Sequence, residues 1–193
     1  MALTPKIYEL KVTLDHVEPS IWRRFQVRSD AKLTRLHNIL QTVMDWSGYH
    51  LYGFDIAGLE YTDPEELEED IYDRNLQDGS KVSLSRVLTK VGDKIVYRYD
   101  FGDNWEHTIK LEKILDPVPG EKYPVCLAGA RSAPPEDCGG DGGYDDLLKV
   151  LANPDDPEHE DMKEWVGPYF DPEEFNLAVI NRELRGRVLV KAE

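Results

Sequence analysis

Alternation of apolar and polar residues marks the beginning of the chain as β structure. Every second residue from Tyr8 to Leu14 is apolar, which predicts a strand with one face buried. Turn-forming residues at 18–20 precede a second alternating run over 21–28, so the two runs predict a β-hairpin.

Arg23 is the exception on the apolar face of the second strand. It alternates in phase with Ile21 and Phe25, and a guanidinium in an apolar environment needs a hydrogen-bonding partner. We therefore expect Arg23 to be buried and paired with a carboxylate, with Asp100 or Asp103 favoured.

The period then changes to that of an α-helix over residues 33–46. Leucines recur at helical spacing, with His37 on the same stripe, and Gly48 is expected to end the helix. A third strand over 50–56 begins with His50, and a short helical turn is expected at 84–88.

Two further alternating runs, 94–100 and 105–115, predict a hairpin joined by the turn at 101–104. The inner face of this hairpin is expected to carry Ile95, Tyr97, Tyr99, Trp105, His107, Ile109 and Leu111.

A loop rich in proline and glycine over 116–141 leads to a helical C-terminal part. Asp171, Pro172 and Glu174 have the spacing of an N-cap, a first-turn proline and a capping-box partner, so the last helix is expected to begin there and run toward Gly186.

The pattern predicts an α+β fold: an antiparallel sheet of about five strands, a packed helix from the N-terminal half and a C-terminal helical part. Residues 1–193 are expected to form a single domain, with 142–186 as the candidate for a helical subdomain.

The net charge of −15 is concentrated in two segments. Residues 60–78 and residues 155–174 each contain nine acidic residues and one basic residue, and the rest of the chain is near neutral.

No apolar run reaches the roughly 18 residues of a membrane span. No signal peptide is visible, and two cysteines are too few for a disulfide scaffold, so we expect a cytoplasmic protein without a membrane.

This charge disfavours specific DNA binding. One basic stretch keeps a nucleic-acid hypothesis open, and it comprises Arg23, Arg24, Arg28, Lys32 and Arg35.

Chemically versatile residues concentrate in two loop regions, the hairpin at 100–107 and the run at 134–140. Functional groups are often carried on loops held by a rigid scaffold, although turns also favour Asp and Gly for conformational reasons. We expect the two regions to lie against each other, and the predicted pocket comprises Asp100, Asp103, Trp105, His107, Glu136, Asp137 and Arg23.

A metal site is a further hypothesis, because neutral imidazole and thiolate are good zinc ligands. The candidate ligands are His37, His50, His107, Cys126 and Cys138. Their spacing matches no compact zinc motif, and two buried free thiols are the alternative interpretation.

Ten short stretches, in order along nearly the whole chain, carry a family resemblance. They are residues 8–12 (YELKV), 19–24 (PSIWRR), 36–37 (LH), 44–46 (MDW) with 50–51 (HL), 99–107 (YDFGDNWEH), 123–126 (YPVC), 134–140 (PPEDCGG), 143–144 (GY) and 170–175 (FDPEEF). Through them the chain resembles the plasmid pRiA4b ORF-three-like family. The resemblance implies an association with plasmids and mobile elements and a recombinase-like label, and it implies no defined reaction. Ala133 stands where relatives tend to carry a cysteine, which weakens a cysteine-rich metal site.

Three functions are compatible with these observations. The leading hypothesis is a binding module for a small molecule or a protein, in a groove where the 100–107 hairpin meets the 134–140 loop. The second is a metal-assisted hydrolytic enzyme using His37, His50, His107 and Asp103. The third is a nucleic-acid accessory factor, although no serine or tyrosine with a surrounding arginine set marks a recombinase centre.

Overall fold

A computed structural model describes residues 4–68 and 75–190 of the chain. The strands in these ranges are β1 (Ile7–Leu14), β2 (Trp22–Arg28), β3 (Tyr52–Ile56), β4 (Leu59–Thr62), β5 (Gln77–Asp78), β6 (Lys94–Tyr99), β7 (Trp105–Leu115) and β8 (Val125–Ala130). The helices are α1 (Leu33–Met44), α2 (Pro64–Glu68), α3 (Leu84–Val87), α4 (Gly140–Ala152), α5 (His159–Val166) and α6 (Leu177–Val190), with a short 3-10 turn at Gly79–Lys81.

All eight described strands form one sheet in the order β5-β4-β3-β6-β7-β1-β2-β8. Neighbouring strands are antiparallel except for β4 and β5, which are parallel. The α+β prediction is confirmed, whereas the predicted number of about five strands was too low. The strands not predicted are β4 and β5, which are short and border the acidic segment, and β8, which lies in the segment rich in proline and glycine.

The core lies where α1 packs across the sheet. His37 of α1 stacks on Tyr52 of β3, with the ring centroids 3.7 Å apart. At the end of the same helix, the main-chain carbonyl of Val43 accepts a hydrogen bond from Arg23 of β2. The predicted inner face of β6 and β7 is buried at all seven positions, as strict alternation requires.

Two helix boundaries differ from the predictions. Helix α1 ends at Met44, because Asp45 adopts a left-handed conformation (φ 61°) and caps the last turn, so Gly48 lies outside the helix. Helix α6 begins at Leu177, and not at Asp171. Asp171 instead accepts a hydrogen bond from the amide of Glu173, which makes a local turn, whereas Asn176 caps the helix by accepting from the amide of Val179.

The C-terminal helices pack on the same core as the sheet. Tyr144, Leu147, Ile180 and Leu184 belong to one buried cluster with the strands and α1. The side-chain amide of Asn181 in α6 hydrogen bonds to the main-chain N–H and carbonyl of Cys126 in the outermost strand β8, at 2.8 and 2.9 Å. Across the described ranges, every helix is too short or too polar to cross a bilayer.

Candidate functional site

The turn between β6 and β7 holds Asp100 in a fixed, nearly buried position. Asp100 has a left-handed backbone (φ 57°), and its Oδ1 accepts a hydrogen bond from the amide of Gly102 at 3.0 Å. Its own amide donates to the carbonyl of Leu51 at 2.9 Å, which ties the turn to the entry of β3. The Asp100 side chain is only 9% exposed as a result.

The loop at 134–140 lies directly against this turn, as predicted. Asp103 Oδ2 accepts a hydrogen bond from the amide of Gly139 at 3.1 Å. A Cβ atom at Gly140 would lie 2.6 Å from the carbonyl oxygen of Asp103, and Gly140 has a positive φ of 72°. Only glycine therefore permits this close approach.

The segment that follows α1 joins the same loop from the other side. Trp46 Nε1 donates to the carbonyl of Pro134 at 2.9 Å, and the amide of Ser47 donates to Glu136 Oε2 at 3.0 Å. The Tyr99 hydroxyl donates to the other oxygen of Glu136. Burial, followed by this carboxylate, raises the pKa of Tyr99.

His50 lies between two carboxylates at the centre of this arrangement. Its Nε2 is 3.2 Å from Asp137 Oδ1 and 3.6 Å from Asp100 Oδ2. This nitrogen is buried and has no hydrogen-bond partner within the described part of the chain. The Tyr49 hydroxyl donates to Asp137 Oδ2 at 2.7 Å, and this hydrogen bond raises the pKa of Tyr49 to about 12. We use the term junction for the set of His50, Asp100, Asp103, Glu136 and Asp137.

The structure does not bring the five predicted metal ligands together. Among described residues, the one group of mutually close ligand atoms is His50 with Asp100 and Asp137. His37 Nδ1 lies 2.8 Å from the Tyr97 hydroxyl, inside the aromatic core. His107 is fully buried, and this burial lowers its pKa to about 4. The set proposed for a hydrolytic enzyme is likewise dispersed, because His37 and His107 belong to the core.

The two cysteines are free thiols, and neither belongs to the group of close ligand atoms among the described residues. Cys126 Sγ donates to the carbonyl of Arg24 at 3.5 Å, and burial raises its pKa to about 11. Burial and the charge of Asp103 raise the pKa of Cys138 to about 12. Both surroundings therefore favour the thiol over the thiolate, which is the form that binds zinc.

Arg23 is buried as predicted, but the expected pairing with a carboxylate was wrong. Its guanidinium donates to the main-chain carbonyls of Val43, Trp22 and Ala130 at 2.7, 3.0 and 2.8 Å. Burial lowers its pKa to about 10. These acceptors lie at or near the ends of α1, β2 and β8. The pattern of residue types does not reveal main-chain acceptors.

Two cavities flank the 134–140 loop. One of about 330 Å³ includes Asp137 and Cys138. The other, of about 360 Å³, lies between the end of α1, the 132–136 segment and α6, and we call it the groove. Arg23 and Glu136 line the groove, whereas Trp105 and His107, also predicted for a pocket, lie in the core.

Arg23 contacts the ring of Phe175 beside the groove, with the guanidinium carbon 5.0 Å from the ring centroid. A Cβ atom at Gly129 would clash with the ring of Phe175, so the absence of a side chain there makes room for this pair.

Four residues that support the junction lie outside the predicted pocket: Trp46, Ser47, Tyr49 and Tyr99. Ser47 acts through its main-chain amide, which no side-chain pattern can identify. Tyr49 is 61% exposed and lies in the connection between α1 and β3. Its hydroxyl reaches Asp137, a residue distant in the sequence, and no local pattern reveals such a contact.

Fold and site together define a single-sheet α+β protein in which two loops meet over a buried aromatic core. The chain belongs to the family described as plasmid pRiA4b ORF-3-like protein, whose model matches residues 6–179. It is 37% identical over 182 residues to the uncharacterized protein y4hQ of Sinorhizobium fredii (strain NBRC 101917 / NGR234), covering 93% of this chain and 91% of that one. It is also similar to the crystal structure of a protein of unknown function, MM3350, from Methanosarcina mazei Go1. The TM-score is 0.80 and the identity 38%, covering 91% of this chain and 97% of the other.

Proposed function

We propose that the protein is a binding module whose groove accepts a basic, partly apolar segment of a partner protein. The observation that carries this proposal is the charge of the groove lining. Five carboxylate side chains line it, and they are Asp45, Glu136, Asp171, Glu174 and Glu183. Arg23 is the basic residue of the described lining, and its guanidinium already donates to main-chain carbonyls.

The apolar part of the lining favours a peptide rather than a free cation. Val166, Phe170, Phe175, Val179 and Ile180 contribute aromatic and aliphatic surface to the groove. Tyr169 also lines the groove and is 91% exposed, and tyrosine is enriched in protein interfaces. A peptide with both cationic and apolar side chains would match the carboxylates and the apolar surface of this lining.

The groove is held by groups that need no ligand to order them. Trp46 is fixed by its hydrogen bond to Pro134, and Ser132 Oγ donates to the carbonyl of Asp171 at 2.7 Å. A preformed site of this volume falls in the range of known ligand cavities, and preorganisation lowers the entropy lost on binding.

The test is fluorescence anisotropy with a labelled peptide of alternating arginine and leucine, at about 150 mM salt to screen the general field of the protein. A double variant, Glu174→Gln with Glu183→Gln, removes two groove carboxylates. We expect it to weaken binding about fivefold, from roughly 0.5 kcal/mol for each exposed charge pair.

The matched control is Glu160→Gln with Glu164→Gln, which changes the net charge equally on the exposed surface of α5. It should bind as the parent does. Equal weakening by both double variants would assign the attraction to net charge alone and refute the groove. Equal binding of a peptide with glutamate in place of arginine would refute the charge argument.

A further inference from the structure

We propose that His50, Asp100 and Asp137 form a binding site for a divalent transition-metal ion of the zinc type. The site belongs to the junction and is independent of the groove proposal. Its donor set, one imidazole nitrogen and two carboxylate oxygens, is one that zinc accepts.

The spacing of the donor atoms fits a shared ion. Zinc bound to nitrogen and oxygen at about 2.0–2.2 Å places adjacent tetrahedral ligands about 3.4 Å apart. The two separations from His50 Nε2, 3.2 Å to Asp137 and 3.6 Å to Asp100, lie on either side of this value. All three donor atoms lie within 4.8 Å of one another.

Each aspartate uses one oxygen for a hydrogen bond and leaves the other facing His50. Asp100 Oδ1 accepts from the amide of Gly102, and Asp137 Oδ2 accepts from the hydroxyl of Tyr49. Such outer hydrogen bonds are the usual means by which proteins orient metal ligands. Asp137 is 60% exposed, which leaves an open side for water or another ligand.

An ion would also satisfy groups that have no suitable partner among the described residues. The Nε2 atom of His50 is buried there without a hydrogen bond. In the ion pairs of residues 4–68 and 75–190, neither Asp100 nor Asp137 is matched by a lysine or arginine. A hydrogen bond from His50 Nε2 to one of the carboxylates is the competing interpretation, but the 3.6 Å separation from Asp100 is too long for one, and Nε2 has no hydrogen-bond partner of acceptable geometry among the described residues.

The test is calorimetric titration of the tag-free full chain with zinc chloride. We expect one ion per chain in the parent, and affinity at least tenfold lower in Asp137→Asn and in His50→Gln, since even the loss of an outer contact weakens metal binding by about 10–100-fold. Asparagine tolerates the positive φ of Asp137, so this variant should retain its melting temperature. Two variants guard against a folding defect in either one.

Control variants and a second metal distinguish zinc bound at these three residues from zinc bound elsewhere on the chain. Asp141→Asn removes a nearby exposed carboxylate and should leave zinc affinity unchanged, as should Cys138→Ser. Magnesium chloride should bind far more weakly, because magnesium prefers oxygen-only ligands. The proposal is overturned if the parent binds no zinc, if Asp137→Asn and His50→Gln bind as the parent does, if Cys138→Ser abolishes binding, or if magnesium binds equally well.

Discussion

Two histidines of this protein carry a buried Nε2 without a hydrogen-bond partner in the described residues, and their surroundings are opposite. His107 lies in the aromatic interior, with its ring 5.3 Å from that of Trp46 and 5.4 Å from that of Tyr97. His50 lies at the junction, facing two carboxylates. In the interior, burial favours the neutral form of His107, and its ring packs among aromatic rings. At the junction, the imidazole of His50 faces carboxylate oxygens instead. A histidine therefore indicates a functional site only when the groups that face it are also known.

The largest expected change in the free energy of unfolding is that of Tyr97→Ala in the interior, and Tyr49→Ala at the junction is its comparison. Tyr97 is fully buried and its hydroxyl hydrogen bonds to His37 and Gln41. Tyr97→Ala should lower the free energy of unfolding by about 4 kcal/mol, in the range of other buried aromatic truncations. Tyr49→Ala removes an exposed ring and should change it by a small fraction of that amount. Denaturant titration measures both, and similar losses would contradict the division between a structural interior and an exposed junction.

The pH dependence of stability should report the interior histidine. The unfolded chain protonates His107 near its ordinary pKa of 6.5, whereas the folded protein does so only near 4. The stability that this difference provides is complete above pH 6.5 and is lost as the pH falls toward 4, by about 3 kcal/mol at 1.36 kcal/mol per pKa unit.

His107→Leu should flatten the stability curve between pH 6.5 and 4 relative to the parent. Curves measured by thermal unfolding at several pH values decide this, and an unchanged slope in His107→Leu would show that His107 is not the group being titrated.

Two adjacent arginines extend the comparison to the sheet. Arg23→Met leaves three main-chain carbonyls without their charged donor, so we expect a loss of about 2–3 kcal/mol. Arg24 pairs with Glu112 at 2.6 Å near the surface, and Arg24→Met should cost less than about 1 kcal/mol. Chemical denaturation of both variants provides the measurement. Equal losses would mean that burial of Arg23 adds nothing to its role.

The smallest expected effect is in DNA binding, because we expect the protein to form no sequence-specific complex with duplex DNA. The basic stretch is divided in the fold: Arg23 is buried, Arg24 faces Glu112 and Arg28 faces Asp30. A gel shift at about 150 mM salt should show no sequence-dependent complex, since non-specific attachment falls steeply with salt. A specific complex under these conditions would restore the nucleic-acid hypothesis.

The sequence predicted the elements that follow a clear period. The hairpin of β6 and β7 and helix α1 each repeat apolar residues often enough to set their class and their buried face. Strand β8 has a glycine and two alanines among its six residues, so its alternation is too weak to detect. The contact between the two loops was predictable because both contain more polar groups than a turn requires.

The errors at the candidate site have one physical origin. The spacing of apolar residues assigns a residue to one face of a strand or helix. It does not give the position of that residue along the sheet, or its neighbours on other strands. The pattern places His37, His50 and His107 on apolar faces alike, but only His50 reaches the edge where the loops meet. The acceptors of Arg23 are main-chain carbonyls at element ends, which become neighbours only after the strands and α1 have assembled.

The hydrogen bonds from Asn181 to the outermost strand limit how this sheet can grow. An edge strand presents unpaired amides and carbonyls to which a strand of another molecule can add, and this is a common start of aggregation. The Asn181 amide group occupies both main-chain groups of Cys126, as an added strand would. Helix α6 thereby blocks the addition of a further strand at this position of the edge.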